Sequence, residues 1–327
     1  MFGVNEPKKQ HVIPRLHLQY FTGEDGRVWT YDALSGRRWS RVPEETATEQ
    51  HFYSFERADG TLDTRLEDTL ARIEDRAAPI YKAILDGNIH GLAPQSRMDF
   101  AHFVGLMYSR TRSVRRQAAT FFGQFIQSAL YAKALSSRSF NAFIQTFESR
   151  SGRTLTEDQR ARVREGMLDP SRFRMTVYKE VGLRAIALAD KLAPIFYNMR
   201  WWLMGTTSGY YVTSDHPVVL EIGPGVRDNG FLTPTAEVTM PFSPRTLLLM
   251  TWRQAEYAKE IPEEDVHAAN EARAQNSEQY LYAHLNDEKV ASLAAEYRSA
   301  RPSVHLHGLQ PRRFAAVSIA RRRPRIG

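Results

Sequence analysis

The chain has 327 residues, enough for one large domain or two smaller ones, and its hydrophobic fraction of 42% supports a sizeable core. It contains no cysteine, which excludes disulfide bonds and thiolate zinc sites. Its 44 Lys and Arg against 37 Asp and Glu give a net charge of +7, which on this length does not by itself indicate a nucleic-acid partner. No apolar run reaches the ~18 residues of a membrane span, and residues 1–10 lack a signal-peptide core, so we expect a cytoplasmic protein without membrane contacts.

The first part of the chain, residues 10–60, predicts a small antiparallel meander. Segment 12–21 is rich in β-forming residues, and Pro14 favours an edge strand or a strand entry. Residues 28–31 follow a Gly-Glu-Asp-Gly turn, and residues 38–40 follow a second turn that contains glycine.

Helices are predicted for the central region, residues 61–199. Apolar residues recur at helical spacing over 63–85. Ser96 is the predicted N-cap of one long helix that continues to Leu130. Periodic stretches predict two shorter helices, at 140–149 and 156–167, and a further long helix at 173–196 that ends near Pro194.

The pattern returns to strands in residues 200–255, and residues 256–327 supply C-terminal helices and a basic tail. Predicted strands cover 201–204, 210–222, 238–242 and 247–252, and predicted helices cover 263–284 and 288–300. Two short meanders are marginal alone and need shared burial. We therefore expect a single α+β domain over residues 1–327, with both strand groups in one antiparallel β region and a helical layer between them.

Two polar residues near the start lie in an apolar, strand-like frame. His11 can act as a general base or a metal ligand, and Arg15 can hold a phosphate or carboxylate. The alternative is structural: His11 caps a turn, and Arg15 pairs with an acid at the edge of the core.

A second polar group lies at Ser214, Asp215 and His216. On an extended segment neighbouring side chains point to opposite faces, so these three cannot converge as a catalytic triad. We interpret Asp215 as a single carboxylate at a strand end, where Pro217 stops a regular ladder. The alternative is a turn in which Asp215 bonds the local backbone.

Two carboxylates, Glu67 and Glu74, are seven residues apart and fall almost on one line of the predicted helix. Such a pair can ligate a divalent metal or divide the acid and base roles of catalysis. The alternative is a solvated helix flank whose acids pair with Arg72 and Arg76.

Basic residues follow the apolar face of the next helix. Arg110 comes three residues after Met107, a spacing that points it inward toward the acids, and a basic cluster on a rigid helix can grip phosphates. For Arg115 and Arg116 we favour a solvated face.

Several of these motifs together resemble a bacterial family catalogued as domain of unknown function 4238. They are the Gln-His-x-x-Pro-Arg start at 10–15, the acidic helix, Arg110-Thr111-Arg112, Thr213-Ser214-Asp215-His216-Pro217 and the Pro-Phe-Ser-Pro turn at 241–244. The resemblance extends from Gln10 to about Tyr282; its last motif departs slightly at Phe242, where the family often has an aliphatic residue, and the basic tail after Arg321 is outside it. The resemblance makes Asp215 the most strongly favoured site residue. It also implies a setting in bacterial antiviral defence or mobile elements.

The motifs lead to a functional hypothesis. We expect one cleft suited to hydrolysis of a phosphodiester or nucleotide, as in a nuclease, formed by His11, Arg15, Glu67, Glu74, Arg110 and Asp215. Glu67, Glu74 and Asp215 would hold Mg²⁺ or Mn²⁺, His11 would transfer a proton, and the arginines would bind phosphate. The alternative is a non-catalytic nucleic-acid or protein-binding module, with its acids in scattered ion pairs. The sequence leaves the substrate and the oligomeric state open.

Overall fold

The computed structural model describes residues 9–50, 52, 55–56, 62–63, 65–169, 173–175, 184–224, 226–254, 260–297 and 319–321. The chain divides into two compact units. Unit 1 comprises residues 1–115 and 183–303, and unit 2 comprises residues 116–182 and 304–327. The single domain predicted over residues 1–327 stays a prediction.

Helices and antiparallel sheets occur together, which confirms the α+β fold class. In chain order the strands are β1 Lys9–His11, β2 Val28–Asp32, β3 Arg38–Arg41, β4 Thr48–Gln50, β5 Phe55–Glu56, β6 Leu62–Asp63, β7 Phe173–Met175, β8 Arg200–Gly205, β9 Thr213–Ser214, β10 Val219–Ile222, β11 Ala236–Ser243, β12 Thr246–Thr251, β13 Tyr280–Ala283 and β14 Ile319–Arg321. The helices are α1 Arg15–Leu18, α2 Arg65–Leu85, α3 Pro94–Ser109, α4 Arg112–Leu135, α5 Ser137–Ser151, α6 Glu157–Leu168, α7 Leu188–Asn198, α8 Glu263–Asn276 and α9 Glu288–Glu296. Within the described residues, none of these helices has the length and apolar composition needed to cross a membrane.

Unit 1 contains two four-stranded antiparallel sheets. One has the strand order β10-β11-β12-β8, and the other has the order β3-β2-β13-β9. In the second sheet Tyr282 lies opposite Thr30 on one side and Thr213 on the other. Strands β2 and β3 are therefore joined to the later strand group through β13 and β9, while β8, β10, β11 and β12 form a sheet of their own and β1 pairs only with β4.

The largest core of unit 1 packs α2, α3 and α7 against the first sheet. Its centre is aromatic, with the ring of Tyr81 in contact with those of Phe100, Phe103 and Phe242. Helices α3 and α7 approach closely at Gly105, where an added Cβ would lie 3.1 Å from a backbone oxygen of α7. A larger residue at this position would force the helices apart, because protein interiors are close-packed.

The strand predicted over 12–21 is wrong, since most of this segment is helical. Strand β1 ends at His11, α1 starts directly after Pro14, and a 3-10 turn follows at Gln19–Phe21. Proline is compatible with a helix start because its missing N–H needs no partner there. The helical turn buries Leu18 and Phe21, and this burial outweighs the β propensity of the segment.

The single helix predicted from Ser96 to Leu130 is also wrong, because the structure has two. Helix α3 starts at Pro94, two residues before Ser96, and ends at Ser109. Thr111 Oγ1 accepts the backbone N–H of Val114 at 3.4 Å, which supplies a partner for the first turn of α4. This break between the two helices places three consecutive polar residues, Arg110, Thr111 and Arg112, at the junction of α3 and α4.

Two other predicted helices are shorter than expected. The helix predicted over 263–284 ends at Asn276, and residues 280–283 form β13 instead. Within the range predicted as a helix, 173–196, residues Phe173–Met175 form strand β7. Helix α7 covers Leu188–Asn198 and continues past Pro194. The basic tail beyond residue 321 lies outside the described residues.

In unit 2 the rest of α4 is followed by α5 and α6. Ser136 caps α5 at its N-terminus, Gly152 ends it in the left-handed conformation with φ 65°, and Thr156 forms a capping box with Gln159. A small apolar core of unit 2 includes Leu130 and Ile144.

Candidate functional site

The junction between α3 and α4 starts with Arg110, which is buried. Its Nη1 donates to Glu74 Oε1 at 2.5 Å, and its Nη2 donates to the backbone oxygen of His11 at 2.6 Å. One guanidinium fork thus connects α2 to β1. The inward orientation predicted from the spacing to Met107 is what the structure has.

The second predicted carboxylate, Glu67, lies on the same side of α2. The side chain of Gln10, which is buried, donates from Nε2 to Glu67 Oε2 at 2.7 Å. Burial raises the pKa of Glu67, and the hydrogen bond from Gln10 acts against this effect. The helix therefore does hold Glu67 and Glu74 on one flank, next to β1.

These carboxylates do not assemble the predicted metal centre. Among the residues that the structure describes, no group of three or more His, Asp or Glu side chains could hold a metal ion. The trio of Glu67, Glu74 and Asp215 is therefore not such a group. Each carboxylate has a partner of its own: Gln10 for Glu67, Arg110 for Glu74, and backbone N–H groups for Asp215.

His11 and Arg15 both face the 3-10 turn at Pro43–Glu45. His11 Nε2 lies 3.2 Å from the backbone oxygen of Pro43, and burial lowers the pKa of the imidazole. At pH 7 the ring is neutral, so Nε2–H donates to this carbonyl and Nδ1 is the acceptor nitrogen. Arg15 is exposed and pairs at 3.0 Å with Glu44, an acid that is itself exposed and does not lie at the edge of the core.

Asp215 is buried and holds the chain just before β13. Its carboxylate accepts the backbone N–H groups of Glu278, Gln279 and Tyr280 at 2.9, 2.9 and 3.1 Å. Burial raises the pKa of Asp215 to about 6, and these N–H groups and the charge of Arg112 act against this rise. The donors lie more than sixty residues away, so the alternative of a local turn is wrong.

The neighbours of Asp215 have separate partners. His216 Nδ1 lies 3.0 Å from the hydroxyl of Thr111, and Ser214 Oγ accepts the backbone N–H of His216 at 3.1 Å. Asp215 meanwhile bonds residues 278–280. This divergence confirms that the three residues do not form a catalytic triad.

The junction ends at Arg112, which lines a small cavity of about 180 Å³. Arg112 Nε donates to Glu49 on β4, and its guanidinium carbon lies 5.6 Å from the ring centroid of Tyr280. One wall of the cavity is a face of the second sheet. Alternate residues of β2, β3 and β13 point to this face. The cavity is lined by Thr30, Trp39, Arg41, Glu45, Thr46, Ala47, Thr48, Arg112, Tyr280 and Tyr282.

Four side chains of the cavity have donors without a protein partner. Across the described parts of the chain, no acceptor bonds the guanidinium of Arg41, Nη1 and Nη2 of Arg112, or the hydroxyls of Tyr280 and Tyr282. Burial raises the pKa of both tyrosines, so both are neutral phenols that can donate at pH 7. The cavity therefore offers several hydrogen-bond donors and two guanidinium groups, of which that of Arg112 is already paired with Glu49.

The sequence interpretation missed Tyr280, Tyr282 and Arg41. The helix predicted over 263–284 includes both tyrosines, and residues two apart on a helix do not share a face. A Tyr-Leu-Tyr-Ala pattern after Asn276 is nonetheless typical of a strand. On β3, Trp39 and Arg41 are two residues apart, which on a strand places both side chains on the same face of the sheet.

Two further histidines of unit 1 are buried and predict a pH effect on stability. Burial lowers the pKa of His17 to about 3 and that of His216 to about 4, while free imidazole titrates near 6.5. Groups with a depressed pKa in the folded state contribute stability that is present above pH 6.5 and lost as the pH falls. Since one pKa unit corresponds to about 1.4 kcal/mol, the free energy of unfolding should drop by roughly 3 kcal/mol per histidine between pH 6.5 and 4.

The measurement is a set of urea titrations over this pH range on the protein and on His17→Gln. Carboxylates also titrate in this pH range, so the test compares how steeply the free energy of unfolding falls with pH in each protein. The free energy of unfolding should fall less steeply with decreasing pH in His17→Gln than in the parent protein. It should fall as steeply as in the parent in His267→Gln, a control at an exposed histidine. Equal slopes for His17→Gln and the parent protein would show that His17 is protonated in the folded state.

The comparisons with known proteins agree with the motifs. No curated protein and no solved structure matches the chain. A family model described as a protein of unknown function (DUF4238) matches residues 9–287, which include all the junction and cavity residues. The resemblance inferred from the motifs is confirmed: the chain belongs to the DUF4238 family of proteins of unknown function.

Proposed function

We propose that this chain binds the phosphate group of a nucleotide or nucleic acid in the cavity beside Arg112. The observation that carries the proposal is the set of unpartnered donors around one small space, from Arg41, Arg112, Tyr280 and Tyr282. Arginine forks match the geometry of phosphate and can bind it through two parallel hydrogen bonds. Neutral tyrosine hydroxyls would donate to the remaining phosphate oxygens.

The size of the cavity supports recognition of one group rather than a whole ligand. Its volume of about 180 Å³ is below the ~300 Å³ at which pockets begin to enclose small molecules. The phosphate would enter, and the rest of the ligand would lie outside. Trp39 is half-buried at the same wall, where its ring could stack on a base.

Glu45 also lines the cavity and favours a nucleotide over free phosphate. A carboxylate near a phosphate site is repulsive to the phosphate itself. It would accept a hydrogen bond from a sugar hydroxyl or a base amino group, which inorganic phosphate does not have. We therefore expect nucleotides and 5′-phosphorylated oligonucleotides to bind more tightly than inorganic phosphate.

The test of this proposal is a pair of charge-matched substitutions on one strand. Arg41→Gln should raise the Kd for a 5′-phosphorylated oligonucleotide about 10- to 100-fold, because a charge-assisted hydrogen bond contributes about 1.5–3 kcal/mol. Arg38→Gln is the control: Arg38 lies on the opposite face of β3 and pairs with Glu288. Isothermal titration calorimetry at fixed ionic strength measures both.

Two outcomes would contradict the proposal. Equal weakening by Arg41→Gln and Arg38→Gln would indicate a diffuse charge effect, which phosphate ligands also produce. The absence of binding by any nucleoside monophosphate, RNA or DNA of the panel would exclude phosphate recognition altogether.

The second candidate is hydrolysis of the bound phosphodiester or nucleotide, as in a nuclease. The observation that favours it is the polar cluster at β1, where His11 has a lowered pKa and Glu67 a raised pKa. The raised pKa brings Glu67 nearer to the range in which it could exchange protons at neutral pH, and the lowered pKa keeps the His11 imidazole neutral and able to accept a proton. The family resemblance suggests a bacterial defence or mobile-element setting for such an enzyme.

The same ligand panel, incubated with Mg²⁺, Mn²⁺ or EDTA, separates the two candidates. Turnover that is lost in His11→Ala and Glu67→Gln, with ligand binding retained, would make the protein a hydrolase. Binding that survives both substitutions without turnover would make it a binding module. A required metal ion would have to use ligands other than the trio of Glu67, Glu74 and Asp215.

A further inference from the structure

Arg273, in the last turn of α8, is a buried cation with incomplete hydrogen bonding. Its side chain is 0% exposed. Nη2 donates to Thr239 Oγ1 on β11. Nε and Nη1 are buried and have no hydrogen-bond partner within the described residues. Native proteins rarely leave buried donors unpaired, so each such group calls for a physical account.

The charge of Arg273 also lacks a counter-ion. Among the described residues no carboxylate forms an ion pair with it, and the acid whose charge acts on it, Glu221, is exposed. Arginine cannot escape this cost by losing its proton at neutral pH, because burial lowers its pKa only to about 10. An isolated buried charge is destabilising by several kcal/mol unless something neutralises it.

The surrounding side chains do not supply the missing charge. Burial and the field of Arg273 keep the imidazoles of His17 and His216 neutral at pH 7. His17 is fully used by neutral partners, with Nδ1 3.0 Å from the hydroxyl of Tyr81 and Nε2 2.8 Å from that of Thr213. Within the part of the chain that the structure describes, Arg273 is thus a buried positive charge with neutral polar groups beside it.

We propose that unit 1 binds a small monovalent anion of the halide class against Nε and Nη1 of Arg273. Chloride is the expected occupant, since it is spherical, carries a single charge and accepts hydrogen bonds from any direction. Bound there, it would satisfy the two orphan donors and neutralise the guanidinium. The site is independent of the phosphate cavity, because none of the residues that line that cavity belongs to it.

The direct test is crystallographic and uses the unmodified protein. Crystals grown in sodium bromide should give an anomalous peak at the bromine absorption edge, within hydrogen-bond distance of Nε and Nη1 of Arg273. An ordered feature at that position without anomalous signal would be water and would overturn the proposal. An empty position would overturn it as well.

A solution test asks whether the anion stabilises the protein. At equal ionic strength, sodium chloride should raise the Tm above that in sodium gluconate by about 2–4 °C, as expected for a ligand that binds only the folded state. Arg273→Met should abolish this difference, and Arg227→Gln, at an exposed arginine, should keep it. A chloride effect that persists in Arg273→Met would contradict the proposal; if that variant does not fold, the bromide experiment decides.

Discussion

Replacing Arg110 by methionine should lower the free energy of unfolding by about 3–5 kcal/mol, one of the two largest effects that we expect. The substitution leaves the carboxylate of Glu74 and the backbone oxygen of His11 without the donors they now have at 2.5 and 2.6 Å. Breaking a buried ion pair by removing one partner costs this much, because the other charge stays partly buried. Methionine has a similar length, so lost packing contributes little.

Urea denaturation, followed by far-ultraviolet circular dichroism, measures this effect. The control is Arg15→Ala, which removes an exposed ion pair with Glu44 and should cost less than about 1 kcal/mol. A further variant, Arg110→Met with Glu74→Gln, should recover part of the loss, since it removes the orphaned charge. Equal stability of Arg110→Met and the parent protein would contradict the role of the junction.

Asp215→Ala should also lower the free energy of unfolding, by about 3–5 kcal/mol. It removes the acceptor of three backbone N–H groups at residues 278–280, and each buried donor left unpaired costs about 1–3 kcal/mol. These residues lead into β13, so the same change should displace Tyr280 and Tyr282. We therefore expect weaker ligand binding as well, even under conditions where the variant is folded.

The control for this substitution is Asp25→Ala. Asp25 is exposed and accepts a single local N–H, from Arg27 at 3.0 Å, so its loss should cost less than about 1 kcal/mol. Urea denaturation and calorimetry on the same samples measure stability and binding. An Asp215→Ala protein with normal stability and lost turnover would instead identify Asp215 as a catalytic residue.

Local patterns in the sequence predicted several parts of the fold and of the site. The hairpin of β2 and β3 follows from its turn, in which Gly36 has φ 70°, and the common flank of Glu67 and Glu74 follows from the helical period. The motif at 213–217 predicted a carboxylate at a strand end, and Asp215 directly follows β9. In each case the determining interactions lie within a few residues of one another.

The remaining features depend on partners distant in sequence. The break after Ser109 is stabilised by Arg110, whose partners on α2 and β1 are 36 and 99 residues away. The donors to Asp215 are 63–65 residues away, so its role could not be read from its neighbours. Strand β13 forms because its buried residues pair between β2 and β9, and this burial overrides the helical pattern that precedes it.

The most direct test of phosphate recognition observes the cavity itself. The chain has five tryptophans, and their indole N–H signals can be resolved by ¹H–¹⁵N spectroscopy and assigned by substitution. Titration with a 5′-phosphorylated oligonucleotide should shift the signal of Trp39 in a saturable way. The signal of Trp29 should stay in place, because Trp29 packs against the core on the opposite face of the sheet. A shift at Trp29 or elsewhere with Trp39 unaffected, or no shift at millimolar ligand, would contradict the account.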